Sequence, residues 1–141
     1  MANEAILRQE YSLPVQFKCA DGTGIEQGAI LKLADPMTAS LADGDEDYVA
    51  GICHTEKIAN DGTTYVSVYI DGVFDIMASG AITAGQAVAT AASTEGTNYV
   101  TIATATAVGC KTLGIALEDA AGGTEERILV RLQPGCNNTA Y

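Results

Sequence analysis

Apolar and polar residues alternate along most of this chain with a period of two, the spacing of half-buried strands. In residues 64–70, Val66, Val68 and Ile70 fall on one face and Tyr65, Ser67 and Tyr69 on the other. Similar runs predict strands over 13–19, 29–33, 48–53, 64–70, 73–77, 86–91, 99–105, 113–117 and 126–132. Pro14 cannot donate to a ladder, which assigns it to a strand start or an edge. Turn chemistry separates the runs: Asp21-Gly22, Thr23-Gly24, Asp35-Pro36, Asn60-Asp61-Gly62, Asp71-Gly72 and Pro134-Gly135. Helical character is expected only in short pieces, around 37–41 and 117–121. The fold class is all-β.

The pattern is written twice. Gly24-Ile25-Glu26-Gln27-Gly28-Ala29-Ile30-Leu31 returns as Ala81-Ile82-Thr83-Ala84-Gly85-Gln86-Ala87-Val88. Gly51-Ile52-Cys53-His54-Thr55-Glu56 returns as Gly114-Ile115-Ala116-Leu117-Glu118-Asp119, and the run 65–70 returns as 127–132. A duplicated set of strand-turn-strand phrases predicts a small β-barrel or sandwich made of two similar halves. Residues 1–12 lack this periodicity and read as an extended N-terminal arm outside the core. Residues 13–135 read as a single β domain, and 136–141 as a C-terminal tail.

Composition adds a constraint on assembly. The 141 residues include 23 alanines and 15 glycines but only six Tyr, two Phe and no Trp. Small side chains remove little area from water, at about 25 cal/mol per Å². A monomer of this size then has little to set against chain entropy, which favours burial of further surface in an oligomer. The net charge of −11 excludes nucleic acid as a partner, since no basic patch exists to neutralise phosphates. Residues 33–56 hold six acidic residues and no Lys or Arg, a surface that also repels anionic membranes. No apolar stretch reaches the ~20 residues of a transmembrane helix. The start, Met1 to Arg8, lacks a secretory signal, so synthesis in a cytoplasm is expected.

Candidate chemistry is sparse. Cys19, Cys53, Cys110 and Cys136 form no metal-binding or redox spacing and read as reduced, buried thiols. His54 is the single histidine; beside Cys53 on a strand it would point to the opposite face, which separates imidazole from thiol. Asp43, Asp45 and Asp47 match the first ligands of a calcium loop. Tyr48 then stands where Gly is needed and His54 where Glu is needed, so the run reads as a solvated acidic loop. The Gly122-Gly123 stretch has no following Lys-Ser or Lys-Thr and reads as a turn rather than a phosphate cradle. No enzyme, metal or cofactor is expected.

The repeated phrases carry a resemblance. Gly24 to Gly28 leading to Leu31-Lys32-Leu33 and Ala50-Gly51-Ile52, then Ala84 to Val88 and Leu113 to Ala121, resemble the small capsid decoration (cement) proteins of tailed bacteriophages. The similarity covers roughly residues 11 to 133. The acidic 36–47 loop is longer than that pattern, and the 136–141 tail is not part of it. The resemblance implies a structural virion protein on the outer surface of an icosahedral head. It implies a homotrimer that clamps neighbouring major capsid protein subunits by binding alone, many weak interfaces being multiplied by symmetry. Under it, Leu7, Tyr11, Leu13 and Pro14 are expected to make capsid or inter-subunit contacts. Deleting residues 2–12 should then abolish head binding and leave a folded protein.

A different function class is a receptor- or glycan-binding module of a phage fibre or adhesin. Its stacking platforms would have to be Tyr48, Tyr65, Tyr69 and Tyr99.

Overall fold

A computed structural model describes residues 3–93, 96–103, 111–122 and 126–134. Among these are thirteen strands: β1 (Ile6–Gln9), β2 (Val15–Lys18), β3 (Ile30–Asp35), β4 (Thr38–Leu41), β5 (Val49–Cys53), β6 (Tyr65–Tyr69), β7 (Gly72–Ala78), β8 (Ala81–Ile82), β9 (Ala87–Ser93), β10 (Gly96–Ile102), β11 (Gly114–Ala116), β12 (Ala120–Ala121) and β13 (Glu126–Leu132). No helix is present among the described residues.

The duplication is architectural, and each half closes on itself. Strands β2-β4-β3-β5-β6 form one closed barrel, with β2 and β4 parallel and every other neighbour antiparallel. Strands β7-β10-β9-β11-β13 repeat that order, again with one parallel pair, β7–β10, and closure through β7–β13. The expected all-β class with two similar halves is therefore correct. The single barrel or sandwich is replaced by two five-stranded barrels.

The hydrogen bonds repeat as well. Gly28 N–H donates to Cys53 O (2.9 Å), as Gly85 N–H donates to Ala116 O (2.8 Å). Cys53 N–H donates to Ala29 O and Ala116 N–H to Gln86 O, each at 2.9 Å. His54 N–H reaches Ser67 O, and Leu117 N–H reaches Leu129 O, each at 2.8 Å. Gly28 (φ 89°) and Gly85 (φ 95°) turn the chain in the left-handed region at matching points.

Period-two alternation sorts the side chains between two cores. On β3, Leu31 enters the first barrel beside Phe17, Ala39, Val66 and Val68, whereas Ile30 leaves it. Ile30 joins Val49, Ile52 and Tyr69 on the outer face of barrel one, in one continuous cluster with Phe74, Ile76, Val88 and Val130 of barrel two, and the Tyr69 ring meets Phe74 edge-on at 5.5 Å. On β5 an extra residue separates Gly51, opposite Leu31, from Val49, opposite Lys32; this bulge resets the alternation so that both Val49 and Ile52 face the second barrel. Full burial of side chains such as Leu31, Ile52 or Ile76 contributes about 1.5–3 kcal/mol each.

Polar groups tie the halves together. Asn98, with φ 67° in the β9–β10 bulge, accepts the Ile30 N–H at 2.9 Å. Thr90 receives the acidic loop: its hydroxyl accepts Asp47 N–H (2.9 Å), its carbonyl accepts Glu46 N–H (2.9 Å), and its hydroxyl donates to Gly44 O (3.2 Å).

Three expectations are corrected. Residues 3–9 are not an arm outside the core: β1 pairs antiparallel with β7, Ala5 is buried in the shared core, and Ala5 N–H donates to Gly28 O (2.8 Å). Residues 38–41 are strand β4, since Leu33 faces Ala39 and Leu31 faces Leu41 across an antiparallel ladder. Residues 120–121 are strand β12 rather than helix, pairing with β8. The 104–105 end of a predicted strand, Gly123, Gly135, the 136–141 tail, Cys110 and Cys136 lie outside the described residues.

Candidate functional site

The residues assigned to partner contact divide between the two barrels. Leu7 sits opposite Phe74 and packs against the shared core, half-buried. Tyr11 is half exposed; its hydroxyl donates to Gln9 Oε1 (3.1 Å), and the Arg131 guanidinium lies 5.6 Å from its ring centroid. Leu13 is 81% exposed, the most exposed of the large apolar side chains among the described residues, on the connection leading into β2. Pro14 is half-buried beside it. Leu7 supports barrel two, while Leu13 and Pro14 border barrel one.

An open groove of about 440 Å³ runs between β1 and the two barrels, lined by Glu4, Leu7, Gln27, Tyr69, Phe74 and Arg127 among others. Arg127 spans it, donating to Glu4 O and to Asp75 O, each at 3.1 Å. Asp75 also holds Arg8 at 2.9 Å. Burial and the neighbouring Glu26 carboxyl raise the Glu4 pKa, while Glu26, hydrogen-bonded to Glu4, is held below the usual range. The two carboxyls meet between the first residues and the β2–β3 connection. This polar seam fastens chain segments together.

The nucleophile candidates lack an activator. Cys53 lies inside barrel one, donates to Thr55 O (3.1 Å), and burial pushes its thiol pKa up to about 11. The His54 ring points away from it and packs edge-on to Tyr69, 4.9 Å between centroids. Cys19 and Cys53 are free and buried, as read from the sequence. In the acidic loop, Asp47 Oδ2 accepts the amides of Asp43 (3.1 Å) and Gly44 (2.9 Å), and Asp43 pairs with Lys32. Those carboxylates brace the loop. No group of three or more His, Cys, Asp or Glu side chains is arranged around a metal position among the described residues.

One charged cluster escaped the sequence reading. Lys57 is almost fully buried at one end of barrel one, where its ammonium donates to Asp21 O (2.9 Å), Asp21 Oδ1 (3.3 Å), Ile58 O (3.1 Å) and Asp61 Oδ1 (3.3 Å). Burial opposes the charge, but the two carboxylates outweigh it and raise the Lys57 pKa. The signal was present in the two acid-containing turns, Asp21-Gly22 and Asn60-Asp61-Gly62, on either side of a lone lysine. The second barrel has Ala120 at the equivalent place, paired with Ile82 as Lys57 is paired with Ile25.

Of the four tyrosines that a glycan-binding module would need, Tyr48 and Tyr65 are exposed, at 54% and 53%, and the other two are not. Tyr69 and Tyr99 are in cores, at 7% and 3% exposure, and Tyr48 carries the Lys111 ammonium 5.1 Å over its ring. No helix among the described residues is long and apolar enough to cross a membrane.

What the geometry offers is a braced, all-β body with exposed apolar side chains such as Leu13 and Met37 around barrel one. A comparison with curated proteins gives no match. A family model described as phage cement protein matches residues 9–132, a span that takes in strands of both barrels, the bulge glycine of β5 and its counterpart in β11. The chain belongs to the phage cement protein family, a structural family of the phage capsid.

Proposed function

We propose that this protein, made in the host cytoplasm, binds the outer surface of an icosahedral phage head as a homotrimer and clamps neighbouring major capsid protein subunits. The observation that carries the reading is the family match over residues 9–132, which embraces both barrels and not one isolated motif. The physical features agree with it. A net charge of −11 suits a shell facing solvent, and Leu13, 81% exposed, is the side chain best presented for a partner. Of the four contact residues, Tyr11, Leu13 and Pro14 remain accessible for that role, while Leu7 positions β1 on barrel two.

The test is co-sedimentation of the purified protein with expanded heads that lack it, followed by a reconstruction of the decorated particle. Threefold density on the outer surface is the expected result, and absence of binding overturns the reading. Deletion of residues 2–12 is a poor probe, because it removes Ala5 from the core and Arg8 from Asp75. Leu13→Asp leaves those contacts in place and is expected to weaken head binding.

A further inference from the structure

The two barrels differ at one edge, and the difference defines a vacant strand position. In barrel two, β7 is flanked on one side by β13. Its other side is shared: β10 runs parallel beside Met77 and Ala78, and β1 runs antiparallel beside Val73, Phe74 and Asp75. The equivalence of the halves maps β7 onto β2. Cys53 faces Val68 as Ala116 faces Val130, and across the same strands Val68 faces Val15 as Val130 faces Phe74. By that register Gln16 corresponds to Asp75, and Lys18 to Met77.

In barrel one, β4 reaches β2 only at Lys18, opposite Thr38. No strand among the described residues occupies the place beside Gln16 that β1 takes beside Asp75. The backbone direction is set by two neighbouring hydrogen bonds. Lys18 N–H donates toward the β4 side, to Met37 O (2.7 Å), and Cys19 N–H donates toward β6, to Thr64 O (2.9 Å). With a period of two, the Gln16 N–H and C=O and the Pro14 C=O point into the empty place. Gln16 is exposed. Leu13 (81% exposed) precedes this stretch, and Met37 (51%) stands at its other end, at φ 52°.

We propose that this edge of β2 receives an extended segment of the major capsid protein, antiparallel to β2, in the place β1 fills on β7. The proposal rests on the cement reading above. The occupant is not the β1 strand of a second copy, because β1 is held in its own chain by Ala5 burial and the Arg8–Asp75 pair. Lys18, exposed at the end of the slot, favours an acidic partner segment. The segment should place an aliphatic side chain opposite Val15, as β1 places Leu7 opposite Phe74. Pro14 removes one donor from the open edge, which restricts indiscriminate pairing.

The test uses the full chain and expanded heads that lack it. Gln16→Pro deletes the outward amide and should weaken head binding by roughly tenfold or more, through the lost hydrogen bond and the acceptor it leaves buried. Gln16→Thr keeps the backbone and should bind within about twofold of wild type, as expected of a substitution that preserves every main-chain hydrogen bond. In the wild-type protein, exchange of the outward Gln16 amide should slow when heads are added. That measurement decides the matter if Gln16→Pro does not fold. Wild-type protein that binds heads with Gln16→Pro unaffected, or with no new protection at Gln16, overturns the slot and leaves the cement reading standing. Failure of the wild type to bind heads overturns both. Protection of the Gln16 amide without heads, with a change of oligomer mass in Gln16→Pro, would mean that a second copy fills the slot and would overturn the capsid assignment.

Discussion

Gly51 and Gly114 occupy the same point in the two barrels, each pressed against the carbonyl of the neighbouring strand, at Tyr69 and Arg131 respectively. A Cβ at either position would overlap that backbone oxygen, which no rotamer change can relieve. Gly51→Ala and Gly114→Ala should each lower stability by roughly 2–4 kcal/mol in urea denaturation. Gly62 (φ 87°) and Gly85 (φ 95°) face open space, so alanine there should cost only about 1 kcal/mol of left-handed strain. Equal losses at all four sites would show that close approach is not what demands glycine at the two barrel positions.

Asn98 joins the barrels through a side chain that accepts the buried Ile30 amide. Asn98→Gly keeps the left-handed backbone and removes that acceptor, a loss of about 1–3 kcal/mol. Asn98→Ala adds about 1 kcal/mol of backbone strain. Because one apolar cluster runs from Ile30 and Ile52 to Phe74 and Val130, both variants should still unfold in a single transition. Two separated transitions by calorimetry would show the barrels to be independent.

The Lys57 cluster sets a pH window. Asp61 is held well below the usual carboxylate range, first by the Thr63 hydroxyl and amide and then by Lys57. Its contribution is present above an unfolded pKa of about 3.9 and is lost as acid titrates the folded carboxyl. Lys57 is raised, so its contribution is complete below about pH 10.4 and is lost as pH climbs through its folded value. The cluster's contribution to melting temperature should therefore be level between these limits and fall on both sides. Lys57→Met should melt lower at pH 7 and lose much of the alkaline fall, while the acid fall persists through Thr63. An unchanged alkaline limb would count against the assignment.

Cys53 should be silent toward alkylating reagents while the protein is folded. Its thiol stays protonated up to about pH 11 and lies inside barrel one. At pH 8, labelling followed by peptide mass spectrometry should run roughly tenfold or more slower than in urea, where the pKa returns to about 8.5. The raised pKa also means that its share of stability is present below about pH 8.5 and fades as the pH rises toward its folded value. Equal labelling rates in the two states would contradict burial of this thiol.

The repeated phrases were legible in the sequence because each encodes a local device. Gly28 and Gly85 turn, Ile25 and Ile82 plug an end, and Gly51 and Gly114 admit a crossing strand. Closure of each half was not legible, since it depends on one parallel pair, β2–β4 or β7–β10, and no local pattern marks a parallel partner. Residues 38–41, Thr-Ala-Ser-Leu, carry weak propensity of their own, and the ladder to β3 decides their conformation. The β1 strand looked unpatterned because its partner Asp75 lies 67 residues from Arg8. The empty position beside Gln16 was not legible, because it becomes visible only when the barrels are compared strand by strand.

The pairing of β1 with β7 also fixes an order of events during synthesis. Barrel one draws all its strands from residues 15–69 and can close while the ribosome is still translating the rest. The first strand to emerge must wait for β7 before it has a partner, and for Arg127 before its anchor at Glu4 exists. The beginning of this polypeptide is therefore among the last parts of it to come to rest.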